Sequence, residues 1–140
     1  MKRVFIDTNV LIDYVSKRDS FFEPAAQIMQ LGQRRKVEIL VSGLSFATCS
    51  FILEAHYKFS NDNILRIFSE LIKTCNITPV DSDVINKAIA SNFSDFEDAM
   101  QYQSALRGNA DCILTRNKSD FTSSKIRVFA PLEFLQMLSQ

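Results

Sequence analysis

Five short apolar runs punctuate this chain: Val4-Phe5-Ile6, Val37 to Val41, Ile77 to Val80, Cys112 to Thr115 and Arg127 to Phe129. Stretches with helical spacing separate the first four and follow the last. Most of the runs are continuously apolar, with no in-out alternation, as expected of strands buried on both faces. Strands that alternate with helices in this way build a parallel sheet covered by helices on both sides. The expected fold is therefore α/β, a three-layer α/β/α arrangement with a central, mainly parallel sheet of about five strands, spanning residues 1–140 as a single domain.

The helices have readable limits. Val10, Leu11, Tyr14 and Val15 recur at helical spacing after the polar turn Asp7-Thr8-Asn9. Further helices are expected over Pro24 to Arg35 and Leu44 to Tyr57, from Asn61 onward, after the cap Asp81-Ser82-Asp83, over Asp95 to Leu106 before Gly108-Asn109, and from Pro131. The helix from Asn61 carries an apolar stripe of Ile64, Leu65, Ile67, Phe68, Leu71 and Ile72. No repeat, linker or low-complexity segment interrupts the pattern.

Composition excludes several classes. With 46% hydrophobic residues the chain is not a disordered one, and 16 Lys+Arg against 16 Asp+Glu leave no net charge for a polybasic nucleic-acid binder. Cys49, Cys75 and Cys112 are odd in number, widely spaced and set in apolar stretches, which suits neither a disulfide framework nor a zinc knuckle and points to a reducing, cytoplasmic compartment. Asp7 and Asp13 break the apolar start that would make a signal peptide, and no run approaches the roughly 20 apolar residues of a membrane span.

The neutral total hides a separation. Residues 1–40 hold seven basic and five acidic side chains, whereas 81–120 hold seven acidic and four basic ones. Several acids fall where the sheet presents the carboxyl ends of its strands, the usual position of sites in open α/β sheets. Asp7 follows the first strand, Asn117 and Asp120 follow the fourth, and Asp95 and Asp98 open the helix before it. Each has an ordinary explanation as helix cap, dipole partner or turn residue. Gathered at one edge, however, they would repel one another unless a cation lay among them. Oxygen ligands of this kind suit Mg²⁺ or Mn²⁺, and such a site can activate water against a phosphodiester. His56, the only histidine, has no Ser or Cys partner that would suggest a nucleophilic triad.

Three motifs carry a family resemblance: Phe5-Ile6-Asp7-Thr8-Asn9-Val10-Leu11, Asp95-Phe96-Glu97-Asp98-Ala99, and Ile113-Leu114-Thr115-Arg116-Asn117-Lys118-Ser119-Asp120-Phe121. Together they resemble the PIN-domain ribonucleases, in particular the small VapC-like toxins of toxin–antitoxin pairs. The resemblance implies that Asp7, Asp98 and Asp120 are catalytic and bind metal, with Asn117 the less favoured third ligand. It also implies that Asn9 orders the loop beside Asp7, that Asp95 is an outer member of the site, and that Thr115 supports the carboxylates. RNA as substrate, an antitoxin protein as partner and a homodimer follow from the same resemblance. Arg116 and Lys118, beside the site, are the basic residues placed to meet RNA.

One departure stands out. PIN nucleases usually carry a glutamate early in the helix after the second strand, in a Ser-x-Leu-Thr-x-x-Glu-like stretch, and Ser42-Gly43-Leu44-Ser45-Phe46-Ala47-Thr48 places Thr48 there. A hydroxyl is a weaker metal ligand than a carboxylate. Glu54 lies about 120° around the helix from Thr48, and Glu97 about 100° from Asp98, so neither replaces the missing acid. The alternative to a nuclease is thus a weakened or silent PIN domain that binds RNA or protein without cutting. Haloacid-dehalogenase-like phosphatases would need an aspartate where Asn9 stands, and receiver domains an acidic pair near the N-terminus.

Overall fold

The structure is a computed structural model that describes all residues from Met1 to Gln140. Its strands β1 (Lys2–Ile6), β2 (Val37–Ser42), β3 (Cys75–Thr78), β4 (Cys112–Leu114) and β5 (Arg127–Phe129) form one sheet in the spatial order β3-β2-β1-β4-β5. Every pairing is parallel. The helices are α1 (Thr8–Val15), α2 (Phe22–Gln33), α3 (Gly43–Ala55), α4 (Asn61–Leu71), α5 (Ser82–Ile89), α6 (Phe96–Arg107) and α7 (Pro131–Leu138), with a short 3₁₀ turn at Lys118–Phe121. None is long and apolar enough to cross a membrane.

Strand parity divides the core into two. Side chains of successive strand residues point to opposite faces. Val4 and Ile6, Ile39 and Val41, and Cys112 and Leu114 accordingly join α1, α2, α3, α4 and α7 in the larger apolar cluster. Phe5, Leu40 and Ile113 face the other way, onto Tyr102 and Ala105 of α6 and onto Phe121. The three central strands are thus buried on both sides, as their continuous apolar sequences require. All three cysteines are buried and unpaired, and burial pushes the Cys49 and Cys75 thiols up to about 12.

Three expectations are corrected in detail. The third strand runs over Cys75–Thr78, two residues earlier than Ile77 to Val80, because Pro79 has no N–H to offer a ladder. As an edge strand it leaves Asn76 and Ile77 exposed. The first helix begins at Thr8, with Asp7 itself as its N-cap, and α2 begins at Phe22, with Pro24 tolerated in its first turn. The apolar stripe of α4 splits: Ile64 and Leu71 are buried, while Leu65 and Ile72 are each 55% exposed.

Candidate functional site

The chain leaves β1 for β2 on one side, and β4 joins β1 on the other. In such a sheet a crevice opens between the carboxyl ends of the two strands at the point of reversal, here β1 and β4. The rung that closes them is a hydrogen bond from the Asp7 N–H to the Leu114 carbonyl, 2.9 Å. Asp7 and Thr115, the first residues beyond the two strands, therefore meet there.

Asp7 is 7% exposed, and its carboxylate is held from four directions. Oδ1 accepts from the Thr8 N–H (2.8 Å) and from Gln101 Nε2 (3.1 Å). Oδ2 accepts from the Thr115 hydroxyl (2.9 Å) and, at a long 3.4 Å, from Asn9 Nδ2. Asn9 Nδ2 also donates to Thr115 Oγ1 (3.1 Å), and its Oδ1 accepts the Arg116 N–H (3.2 Å), so one carboxamide ties α1 to the segment after β4. Thr115 Oγ1 further accepts the Asn117 N–H at 3.1 Å. A buried carboxylate bonded in this way keeps its orientation.

Behind Asp7 lies a polar network that reading the sequence missed. Gln101, one turn beyond Asp98 on α6 and 1% exposed, places Nε2 near Ser45 Oγ (2.8 Å) and Thr8 Oγ1 (3.2 Å) as well as Asp7. Its Oε1 accepts from the Ser42 hydroxyl, and the Thr8 and Ser45 hydroxyls are 2.7 Å apart. Ser42 also caps α3 through the Ser45 N–H at 3.1 Å. Four elements are locked around one carboxylate, and no buried side-chain polar atom is left without a partner. A glutamine on the face of α6 that also carries Tyr102 and Ala105 toward the core was the signal available in the sequence.

Asp95, expected inside the helix as a partner of its dipole, instead caps α6 by accepting the Asp98 N–H at 3.0 Å. Asp98 is half-buried, and its carboxyl is pushed up to about 7. Burial is the largest cause, followed by the negative charges of Asp120, Asp95 and Asp7 and a hydrogen bond with Asp95. Asp7, Asp95, Asp98 and Asp120, from three separate motifs of the sequence, thus share one field. Asp120 is exposed in the 3₁₀ turn, and its N–H donates to the Asn117 carbonyl at 3.0 Å.

Other residues named from the sequence are placed differently. Thr48 is half-buried on α3 and its hydroxyl makes no hydrogen bond, whereas Ser45, one turn earlier, joins the network. The Asn117 side chain is exposed. Arg116 turns inward: Nε and Nη2 donate to the Asp13 carboxylate at 2.6 and 3.3 Å, and the guanidinium lies 4.1 Å from the Phe21 ring centroid. Asp13 is 1% exposed, so the pair is a buried one. Lys118 pairs with Glu133 of α7 at 3.0 Å, on the surface.

The donor set around Asp98 is entirely oxygen, which suits a hard divalent cation. No three Asp, Glu, His or Cys side chains form a closed cage for an ion as they stand. Mg²⁺ does not require one, since it usually takes one or two carboxylates and keeps waters and phosphate oxygens in its other positions. A carboxyl pushed up first by burial and then by three neighbouring acids marks a place where positive charge is favoured. The residues fit the ion in chemistry.

A parallel α/β sheet with acids from the ends of β1 and β4 and the start of α6 defines the class, and the chain belongs to the PIN domain family, which it matches over residues 3–119. Asp120 lies one residue beyond the matched stretch. A curated relative, Ribonuclease VapC1 of Aquifex aeolicus (strain VF5), is 28% identical over 140 residues, covering 96% of this chain and 94% of its own. Among solved structures, a toxin–antitoxin complex from Klebsiella pneumoniae superposes with a TM-score of 0.67 at 20% identity, covering 91% of this chain and 97% of its own. FitAcB from Neisseria gonorrhoeae gives 0.66 at 14% identity, with 92% and 98% covered.

Proposed function

We propose that this chain is a divalent-metal-dependent endoribonuclease that hydrolyses RNA phosphodiester bonds. The observation that carries this reading is the convergence of Asp7, Asp95 and Asp120 on Asp98 at the β1–β4 crevice, where burial and then the charges of these three acids push the Asp98 carboxyl up to about 7. Asp98 and Asp120 would hold Mg²⁺ or Mn²⁺ from the open side, with Asp7 as the inner carboxylate. Such an ion would supply an activated water and offset the negative charge that develops on the phosphoryl and leaving oxygens.

The chain's own groups do the positioning. Gln101, Thr8, Asn9 and Thr115 fix both oxygens of Asp7, so its charge points one way before substrate arrives. Asp95 holds the first turn of α6 and thereby the backbone from which Asp98 projects. Asn117 and Lys118, exposed in the segment after β4, would meet a phosphate backbone that approaches the acids from solvent. The relatives named as VapC1 and as a toxin–antitoxin complex support a cytoplasmic toxin with an antitoxin protein as partner, and a homodimer is part of the same reading.

The test is cleavage of labelled structured and single-stranded RNAs at millimolar Mg²⁺ or Mn²⁺ by the wild type, Asp7→Asn and Thr48→Glu. Metal-dependent cleavage lost in Asp7→Asn supports the reading. No metal binding and no difference between wild type and Asp7→Asn refutes it. A gain of activity in Thr48→Glu alone would show a silenced nuclease.

A further inference from the structure

A cavity of about 500 Å³ opens beside the acidic site, between α1, the turn after it, the end of α3 and the segment after β4. Its volume is within the ~300–1,000 Å³ range of small-ligand pockets. Ile12 and Ile52 contribute apolar surface, and Arg18, His56, Tyr57 and Arg116 stand around them. We propose that this cavity is a subsite for the backbone of single-stranded RNA, holding the phosphodiester and base adjacent to the one at Asp7 and Asp98. The inference rests on the nuclease reading above for its orientation along the chain of the RNA.

Three observations carry it. First, Asn9 lines the cavity and also bonds Asp7 and Thr115, so one residue separates the cavity from the carboxylates. Second, the cavity's charge is positive. No acid lines it; Asp13, 1% exposed, is bonded by Arg116 and lies in the field of Arg18 as well, so a single carboxylate faces two guanidiniums and one positive charge is left over. Arg18 is exposed, lies 5.6 Å from the Phe21 ring centroid, and its guanidinium has no hydrogen bond or ion pair within the chain. A free cation next to an acidic site is the group a polyanion needs to enter against the repulsion of the acids. Third, the half-buried Tyr57 ring and the exposed His56 ring offer flat surfaces, and single-stranded RNA is bound by stacking its bases on such rings. A duplex, whose bases are already stacked and paired, cannot use them.

Binding of a labelled, short single-stranded RNA in EDTA, followed by fluorescence anisotropy across a salt series, tests this directly. Arg18→Ala is expected to weaken binding about ten-fold and to flatten the slope of log K against log salt by about 0.7, the value of one lost phosphate contact on a single strand. Arg18→Lys is expected to recover the slope, and Lys87→Ala, which removes a cation on α5, to match the wild type. Arg18→Ala indistinguishable from Lys87→Ala, or equal Arg18 dependence for an acidic peptide of matched charge, overturns the proposal; so does a wild type that binds no RNA. Cleavage measured in parallel with Mn²⁺ separates the two readings. Arg18-dependent binding without cleavage leaves the subsite standing and removes the nuclease, whereas cleavage with Arg18-independent binding does the reverse.

Discussion

Asp98→Asn is expected to make the metal-free protein more stable, and to do so more at pH 8 than at pH 5. The Asp98 carboxyl is pushed from 3.8 to about 7 in the folded chain, chiefly by burial and then by Asp120, Asp95 and Asp7. Its protonated form therefore contributes stability that is complete below pH 3.8 and is lost as pH rises to about 7, because the unfolded chain releases the proton first. At 1.36 kcal/mol per pH unit the full span would be about 4 kcal/mol. Asp98 is only half-buried, and screening by solvent reduces this to about 1–2 kcal/mol. Asparagine has the same shape, carries no charge, and can donate to Asp95 as the protonated acid does. Thermal melts in EDTA are expected to show a gap of about 0.5 kcal/mol at pH 5, growing to about 3–6 °C in Tm at pH 8. An equal gap at both pH values, or a less stable variant at pH 8, would refute the clustering of the four acids.

Three more outcomes follow from the same geometry. Gln101→Leu removes a donor to Asp7, the acceptor of the Ser42 hydroxyl and one partner of the Ser45 hydroxyl, so urea denaturation is expected to show a loss of about 2–3 kcal/mol and calorimetry a 10–100-fold weaker affinity for Mn²⁺, figures on the order of those for lost buried partners and metal-supporting groups. Arg116→Ala leaves Asp13 buried without its cation and is expected to cost about 3–5 kcal/mol, part of which Asp13→Asn restores in the double variant, a coupling that a double-mutant cycle reads directly. Gly108→Ala would bring a Cβ to 2.4 Å from Thr78 Cγ2, and a loss of about 1–3 kcal/mol in denaturant without change in metal affinity is expected, since the strain lies far from the acids.

The sheet was legible because its central strands are continuously apolar, so that Phe5, Leu40 and Ile113 could only be buried against a second layer of helices. The edge strand was less so: Cys75–Thr78 is short, half-exposed and cut off by Pro79, and its apolar residues do not mark its limits. At the site, Asp7, Asp95, Asp98, Asn117 and Asp120 stood out by their places at strand ends and a helix start, and the resemblance to PIN nucleases picked Asp7, Asp98 and Asp120 from among them. Gln101, Ser42 and Ser45 did not, because their role depends on α6 crossing the ends of β1 and β2, which no local spacing reveals. Arg116 was read as a rim cation from its neighbours in sequence; its partner Asp13 lies more than a hundred residues away along the chain.

The central claim is that acids gathered at the β1–β4 crevice hold the ion that makes this chain an RNA hydrolase. Single-turnover cleavage of a labelled RNA, measured against Mn²⁺ concentration for the wild type and Asp98→Asn, tests it most directly. A rate that rises and saturates with Mn²⁺ in the wild type, vanishes in EDTA and stays at background in the variant is predicted. Cleavage that survives EDTA, or that Asp98→Asn leaves unchanged, would contradict it.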